Sequence, residues 1–315
     1  MKILADLHHD DLFRSLQLLG GRMGATFYRP KGLEWFENTF WHVHRGRETA
    51  EQFLGPVTYP DFPGISLEEA QDTKWDAVVV SHFSNLQPWQ GLFARCQPDT
   101  PVVLQVGNNW NYNLDCFRNA DYVLNSTATQ WPNAKKHVRY HPEFRVVSSF
   151  DNPTMPGSVY SVNHYPTPKA VITFEKLREQ LPGWKFDMFG CGTENGHLTS
   201  RDQVDKNAAS YQFLFQHKPG GDGYGFNIHR AWAHNTPVIM DYNHYADKMA
   251  AMCMVDRETS FDLSIGVERV AEQIKEWSNE GDYMPIMTPA GIWKQNCCPD
   301  YEWNNKLKPF FEAIL

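Results

Sequence analysis

Short apolar runs alternate with amphipathic segments along the chain, and this alternation is typical of parallel-sheet α/β architecture. In the first half, a helical pattern covers Leu12–Leu19, and Ser66 followed by Glu69 forms a capping box at the start of a short helix. The predicted strands of this half are Ile3–Ala5, Trp75–Val80, Pro101–Gly107 and Asp121–Ser126.

The second half repeats the alternation. Thr167 and Pro168 predict a helix start before the pattern of Val171–Leu181. Further helices are predicted from Phe226–Asn227 onward, over Val267–Trp277 and over the terminal segment Asp300–Leu315. The predicted strands are Val159–Val162, Trp184–Phe189, Phe213–Phe215 and Pro237–Met240.

A proline-rich stretch from Tyr140 to Gly157 interrupts the pattern and indicates a domain linker. We therefore predict an α/β protein with two Rossmann-like domains that face a cleft. The first domain covers residues 1–150 and the second 151–299, and residues 300–315 form a C-terminal helical segment. Ligands in such sheets bind beyond the carboxyl ends of the strands, so the loops after the strands are the candidate sites.

Composition narrows the class of protein. The 315 residues are 42% hydrophobic and 21% charged, which argues against intrinsic disorder, and the net charge of -8 argues against a protein that coats nucleic acid. No apolar run reaches the roughly 20 residues of a membrane span, and the N-terminus turns polar too early for a secretory signal. Six scattered cysteines suit a reducing, cytoplasmic location. Aromatic residues, at 14%, fit either an aromatic core or a cleft that stacks on sugars or bases.

The segment Phe213–Met240 is the most informative part of the chain. After an apolar strand, closely spaced glycines allow a tight turn, and a helix then begins near Phe226, whose first amides suit a phosphate. Lys218 adds positive charge, and Asn235 followed by Pro237 ends the helix. A strand–turn–helix joint that needs glycines only for packing is the alternative reading.

This segment resembles the donor-binding region of GT-B glycosyltransferases, especially the retaining family 4, with a phage-type enzyme as one variant. Asp222-Gly223-Tyr224-Gly225 and Ala233 to Ile239 fit that family's motif without a gap. The resemblance implies transfer of a sugar from a nucleoside diphosphate donor, a UDP-sugar being expected, to an acceptor hydroxyl. It further implies retention of configuration, a metal-independent reaction and no cofactor.

The resemblance also implies roles for individual residues. Asp222 is expected to contact the transferred sugar, together with His82 after the strand Val78–Val80. The family's motif contains two Glu residues. The first corresponds to Asp222 here. The second, which binds the donor ribose in the family, is replaced by Arg230, and an arginine could bind a phosphate instead. The predicted donor-binding residues are Lys169, Gly190, Gly192, Lys218, Gly221, Gly223, Tyr224, Gly225, Phe226, Asn227 and Arg230.

Two polar groups are predicted on the acceptor side of the cleft. One is His8, His9 and Asp10 after the first strand, and the other includes Asn109 and Trp110. The expected acceptor is a glycan, a small molecule or a protein. A hydroxymethylated base in DNA is the alternative acceptor, and a non-catalytic nucleotide- or glycan-binding homologue is the alternative function that Arg230 suggests.

Overall fold

Two parallel β-sheets organise the fold. The computed structural model describes residues 1–5, 10–30, 63–80, 97–107, 120–127, 130–143, 154–163, 166–198, 201–219, 222–279 and 288–315. These residues form two compact units: the described residues up to Glu143 together with Pro299–Leu315, and those from Thr154 to Cys298.

The first unit contains a seven-stranded sheet of order β3-β2-β1-β4-β5-β6-β7, in which every pair is parallel. Its strands are β1 Lys2–Ala5, β2 Thr26–Pro30, β3 Gly64–Ile65, β4 Ala77–Val80, β5 Val102–Val106, β6 Tyr122–Asn125 and β7 Lys136–Arg139. All four residues of β4 are buried, as an unbroken apolar run requires in a strand covered on both faces.

Helices complete the first unit. They are α1 Asp10–Met23, α2 Leu67–Asp72, α9 Pro299–Glu302 and α10 Lys308–Glu312, with a π-helical turn Trp303–Leu307 before α10. The capping box of α2 is confirmed, since the Ser66 hydroxyl accepts from the Glu69 amide and the Glu69 carboxylate from the Ser66 amide. Phe310 and Phe311 pack in the same apolar cluster as Ile3 and Leu16, so the C-terminal segment completes this core.

The second unit contains a five-stranded parallel sheet of order β12-β11-β10-β8-β9. Its strands are β8 Met155–Val162, β9 Lys185–Phe189, β10 Tyr211–Gln216, β11 Val238–Met240 and β12 Ser260–Asp262. The chain passes outward from β8 to β9 and then returns to the other side of β8 for β10, so the strand order reverses between β8 and β10. Ligands bind at such a switch point in sheets of this order.

Helices cover both faces of the second sheet. They are α3 Pro168–Gln180, α4 Arg201–Ser210, α5 Phe226–Ala233, α6 Tyr242–Tyr245, α7 Val267–Asn279 and α8 Pro289–Asn296. On one face, Phe213 and Phe215 pack in one apolar cluster with Phe174 of α3 and Ile274 of α7. Thr167 caps α3 as predicted, because its hydroxyl accepts from the Ala170 amide.

The helices and strands predicted from the sequence differ from the observed ones mainly in segments that contain few apolar residues. The predicted linker extends too far, because β8 begins at Met155, within the proline-rich stretch. The sequence analysis does not predict the strands β2, β3, β7 and β12 or the helices α4, α6 and α8. The residues of β7, for example, are at most half buried, so this edge strand lacks an apolar signal. Of the helices that the structure describes, none has the length and apolarity that crossing a bilayer demands.

Candidate functional site

The segments that follow β8, β9 and β10 define the candidate site in the second unit. Strand register places Val162 beside Phe189, and Gln216 beside Met240, so these carboxyl ends share one edge of the sheet. The helix α3 starts shortly after β8, and the glycine-containing loop before α5 follows β10. Asn227 of α5 donates from Nδ2 to the Val162 carbonyl at 3.2 Å and thereby holds the start of α5 against the end of β8.

Gly225 sets the direction in which α5 leaves the loop. It caps α5 in the left-handed conformation, with φ 76° and ψ 53°. A Cβ on Gly225 would lie 3.1 Å from Cδ1 of Ile228, so a larger residue is disfavoured both by conformation and by space. Because a glycine has no side chain with which to cap a helix, the amino end of α5 suits an external anion.

Asp222 is the acidic residue of the glycine-rich motif, and its side chain is held inside the loop. Its Oδ2 accepts from Gln216 Nε2 and from the Tyr245 hydroxyl, each at 2.8 Å, and its Oδ1 lies 3.8 Å from Lys218 Nζ. Burial alone would raise the pKa of Asp222, but the charge of Lys218 and the two hydrogen bonds outweigh it and lower this pKa. Asp222 is therefore a carboxylate that organises the loop.

Two lysines bring positive charge to the same edge of the sheet. Lys169 is exposed in the first turn of α3, and the Lys218 side chain, 28% exposed, follows β10. His217 directly precedes Lys218 in the chain. The pKa of His217 is lowered by burial and further by the charge of Lys169. Two helix amino ends and two lysines form an arrangement that can bind a diphosphate and stabilise it as a leaving group.

The glycines after β9 have different roles. A Cβ on Gly190 would lie 1.9 Å from the carbonyl oxygen of Asn163, so only glycine allows the ends of β8 and β9 to approach this closely. Gly192 has φ 73°, and among the described residues no atom lies within 4 Å of the position of an added Cβ, so its requirement is conformational. Both residues are predicted to bind the donor, and the structure places them directly after β9, at the carboxyl edge of the second sheet.

Arg230 points into the core. Its guanidinium forms an ion pair with Asp205 of α4, and His234 Nε2 lies 3.6 Å from the same carboxylate oxygen. The Arg230 residue is 2% exposed. Burial alone would raise the pKa of Asp205, but His234 and Arg230 outweigh it and lower this pKa. The structure thus gives Arg230 an internal carboxylate partner, where the sequence suggested a phosphate.

The aromatic residues of the motif are also internal. Tyr224 is buried and stacks on His229 of α5 at 4.1 Å between ring centroids, and Phe226 packs edge-on against Tyr224. Gly223, which precedes Tyr224 in the chain, is buried as well. These residues hold the loop against α5, which is a positioning role for the amino end of that helix.

Some predicted site residues cannot be placed. His82, Gly221, His8, His9, Asn109 and Trp110 lie outside the described residues, and Asp10 is the first residue of α1. Their assigned roles stay predictions.

Sequence reasoning missed several residues that the structure brings to the site. Gln216 and His217 directly follow the apolar run of β10, which is a position that could have drawn attention to them. Tyr245 and Asp205 lie on other elements, α6 and α4, and only the fold shows that they contact the motif.

Similar folds occur among solved structures. HepE from Anabaena, in complex with UDP-glucose, superposes with a TM-score of 0.62 at 12% identity over 100% of this chain and 98% of that chain. The lipopolysaccharide outer core galactosyltransferase WaaB gives 0.54 at 10% identity over 100% and 99%. MurG from Acinetobacter baumannii gives 0.50 at 10% over 99% and 98%.

At these identities the likeness establishes the fold. No protein-family model matches the chain, and no curated protein sequence matches it. The chain has a GT-B fold with two Rossmann-like α/β domains, and the predicted fold class is confirmed.

Proposed function

We propose that the protein is a glycosyltransferase that moves a sugar from a nucleoside diphosphate donor to an acceptor hydroxyl. The observation that carries this proposal is the edge of the second sheet at its switch point. There the amino end of α3 with Lys169 follows β8, and Lys218, a glycine-containing loop and the amino end of α5 follow β10. HepE, which shares the fold, was solved with UDP-glucose bound, and this supports a UDP-sugar as the donor.

The residues of the site suggest how the donor would react. The helix amino end at Gly225 and the two lysines would bind the diphosphate and stabilise its negative charge as the bond to the sugar breaks. Because these groups supply positive charge, the proposal includes a reaction without a metal ion. Asp222 would hold Lys218 and the loop in position through its contacts with Gln216 and Tyr245.

The other parts of the proposal rest on the resemblance of the Asp222–Gly225 motif to retaining enzymes. We propose retention of configuration, the second unit as the donor domain and the first unit as the acceptor domain. The acceptor would be a glycan, a small molecule or a protein. Anomeric configuration of the product by NMR tests the stereochemical part.

A donor screen tests the proposal. UDP-glucose, UDP-galactose and UDP-N-acetylglucosamine should each be compared for a thermal shift and for slow release of UDP. At least one should raise the melting temperature, since a ligand bound to the native state stabilises it by mass action.

The matched variants for the screen are Lys218→Ala and, as control, Lys308→Ala on α10 of the first unit. Lys218→Ala should lose most of the shift, whereas Lys308→Ala should retain it. A complete absence of shift and of UDP release with every donor would contradict the proposal. A shift without release or transfer would support the non-catalytic donor-binding homologue, which the replacement of the family's second Glu by Arg230 suggests.

A further inference from the structure

His217 is a buried imidazole at the proposed donor site. It follows β10 directly and continues the row of Phe213 and Phe215, with its ring 6.2 Å from the Phe215 ring. That row faces α3 and α7 in the apolar cluster of the second sheet, so His217 lies on the side of the sheet where α3 begins. The residue is 8% exposed, and within the described residues its Nε2 has no hydrogen-bond partner.

The charged groups that act on His217 lie on α3, on α6 and directly after β11. Lys169 of α3 and His244 of α6 lower its pKa, and Asp241 after β11 raises it, while burial has the largest effect and lowers it. Asp241 is already engaged as the cap of α6, where its carboxylate accepts from the amides of Asn243 and His244. Lys218, the next residue along the chain, faces Asp222.

A buried polar atom without a partner is uncommon in native proteins and calls for an explanation. An imidazole that is kept neutral by burial and by a neighbouring lysine becomes a good partner for an anion, because the anion offsets the lysine charge and accepts a hydrogen bond from the ring.

We propose that His217 takes up a proton when the diphosphate of the donor binds beside Lys169 and Lys218, so that donor binding is linked to pH. This inference rests on the proposed function, because it takes the donor diphosphate as the anion. The proton comes from solvent and adds to the imidazole, and no covalent bond in the donor changes in this step.

Titration calorimetry with UDP-glucose tests the proposal. The diphosphate of UDP-glucose is a diester without a titrating proton near neutral pH, so any proton taken up belongs to the protein. The binding enthalpy at pH 7.5 should be measured in several buffers of different ionisation enthalpy, and the slope gives the number of protons bound. We expect a clear uptake of up to about one proton at pH 7.5. The affinity for UDP-glucose should accordingly fall by up to about tenfold per pH unit as the pH is raised through this value.

The variants assign the proton to a residue. His217→Gln keeps a polar side chain that does not titrate and should bind UDP-glucose with no uptake and with little dependence on pH. His137→Gln, on the exposed side of β7 in the first unit, is the matched control and should behave as wild type. A merely structural role of His217 would change affinity or stability without changing the proton count.

The possible results separate the inference from the proposed function. UDP-glucose binding by the wild type without proton uptake would overturn the inference and leave the function standing. Uptake that persists in His217→Gln, or that is lost instead in His244→Gln, would overturn the assignment to His217. Binding of inorganic pyrophosphate with an uptake that His217→Gln abolishes, but no binding of UDP-glucose, would support the proton link and contradict a nucleotide-sugar donor; the comparison with the variant is needed because pyrophosphate itself titrates near neutral pH. Failure of both ligands to bind would overturn both proposals.

Discussion

Asp222 has both a left-handed backbone conformation and a buried carboxylate. With φ 94° it adopts a conformation that few residues other than glycine accept, and Asn is the substitution that tolerates it best. The two hydrogen bonds to its Oδ2 and the proximity of Lys218 offset the cost of burying its charge. The loop conformation and the carboxylate therefore depend on each other.

We predict that Asp222→Asn destabilises the protein by about 1.5–3 kcal/mol at neutral pH, which is the typical value of a hydrogen bond to a charged group. Because the pKa of Asp222 is lowered in the folded state, this stabilisation is present above the ordinary value of about 3.9 and is lost as the pH falls through the lower, folded-state pKa. Urea unfolding at neutral and acidic pH measures it. A difference between wild type and variant that does not shrink in acid would contradict the prediction.

Substitutions at the Arg230–Asp205 ion pair test whether Arg230 is a structural or a ligand-binding residue. Arg230→Leu should cost about 3–5 kcal/mol, because it leaves the Asp205 carboxylate buried without its ion-pair partner. Arg230→Leu combined with Asp205→Leu should recover much of that loss, since an apolar pair of similar volume can replace a buried ion pair. Chemical denaturation measures the stabilities.

The double variant also tests the site. If Arg230 is structural, the folded double variant should bind UDP-glucose with nearly the wild-type affinity. A large loss of affinity in a stable double variant would mean that Arg230 contacts the donor after all.

At the scale of elements, the site depends on how closely the ends of β8 and β9 approach. Gly190→Ala would place a Cβ 1.9 Å from the Asn163 carbonyl oxygen and must displace one of the two strand ends. We expect Gly190→Ala to destabilise the protein and to weaken UDP-glucose binding together, because Asn163 begins the segment that leads to α3.

Gly192→Ala is the matched control for this prediction. Its Cβ would meet no atom of the described part of the chain within 4 Å, so the substitution should cost only about 1–2 kcal/mol for the left-handed conformation. Thermal unfolding and calorimetry of both variants check the ranking. Equal effects of the two substitutions would show that the close approach at Gly190 is not important.

At the scale of the whole molecule, the C-terminal residues Pro299–Leu315 complete the core of the first unit, although they follow the second unit in sequence. Phe310→Ala should cost about 3–5 kcal/mol, the usual loss for a buried Phe. Tyr301→Ala, at a position 56% exposed in the same segment, should change stability by less than about 0.5 kcal/mol.

The affinity of the Phe310→Ala variant for UDP-glucose tests which of the two units binds the donor. All of the placed donor-site residues lie in the second unit, so folded Phe310→Ala should retain its affinity for UDP-glucose. A loss of affinity without loss of the native circular dichroism spectrum would contradict the assignment of the donor site to the second unit.

The sequence predicts the central strands well because burial on both faces leaves an unbroken apolar run, as in the three valines of β4. It does not predict β7, where polar residues form an edge, or β12, whose three residues include a single apolar one. At the site, local spacing predicts the glycine-rich loop, α5 and Lys218. The partners of Asp222 and Arg230 depend on which elements the fold brings together, and neither Tyr245 nor Asp205 carries a local signal of that contact.

A crystal structure of the protein with UDP-glucose would locate the donor directly. We expect the diphosphate at the carboxyl ends of β8 and β10, within hydrogen-bond distance of the first amides of α5 and in contact with Lys218. A donor bound at another edge of the fold, with its phosphates away from α5, would contradict a donor site at the amino end of this helix.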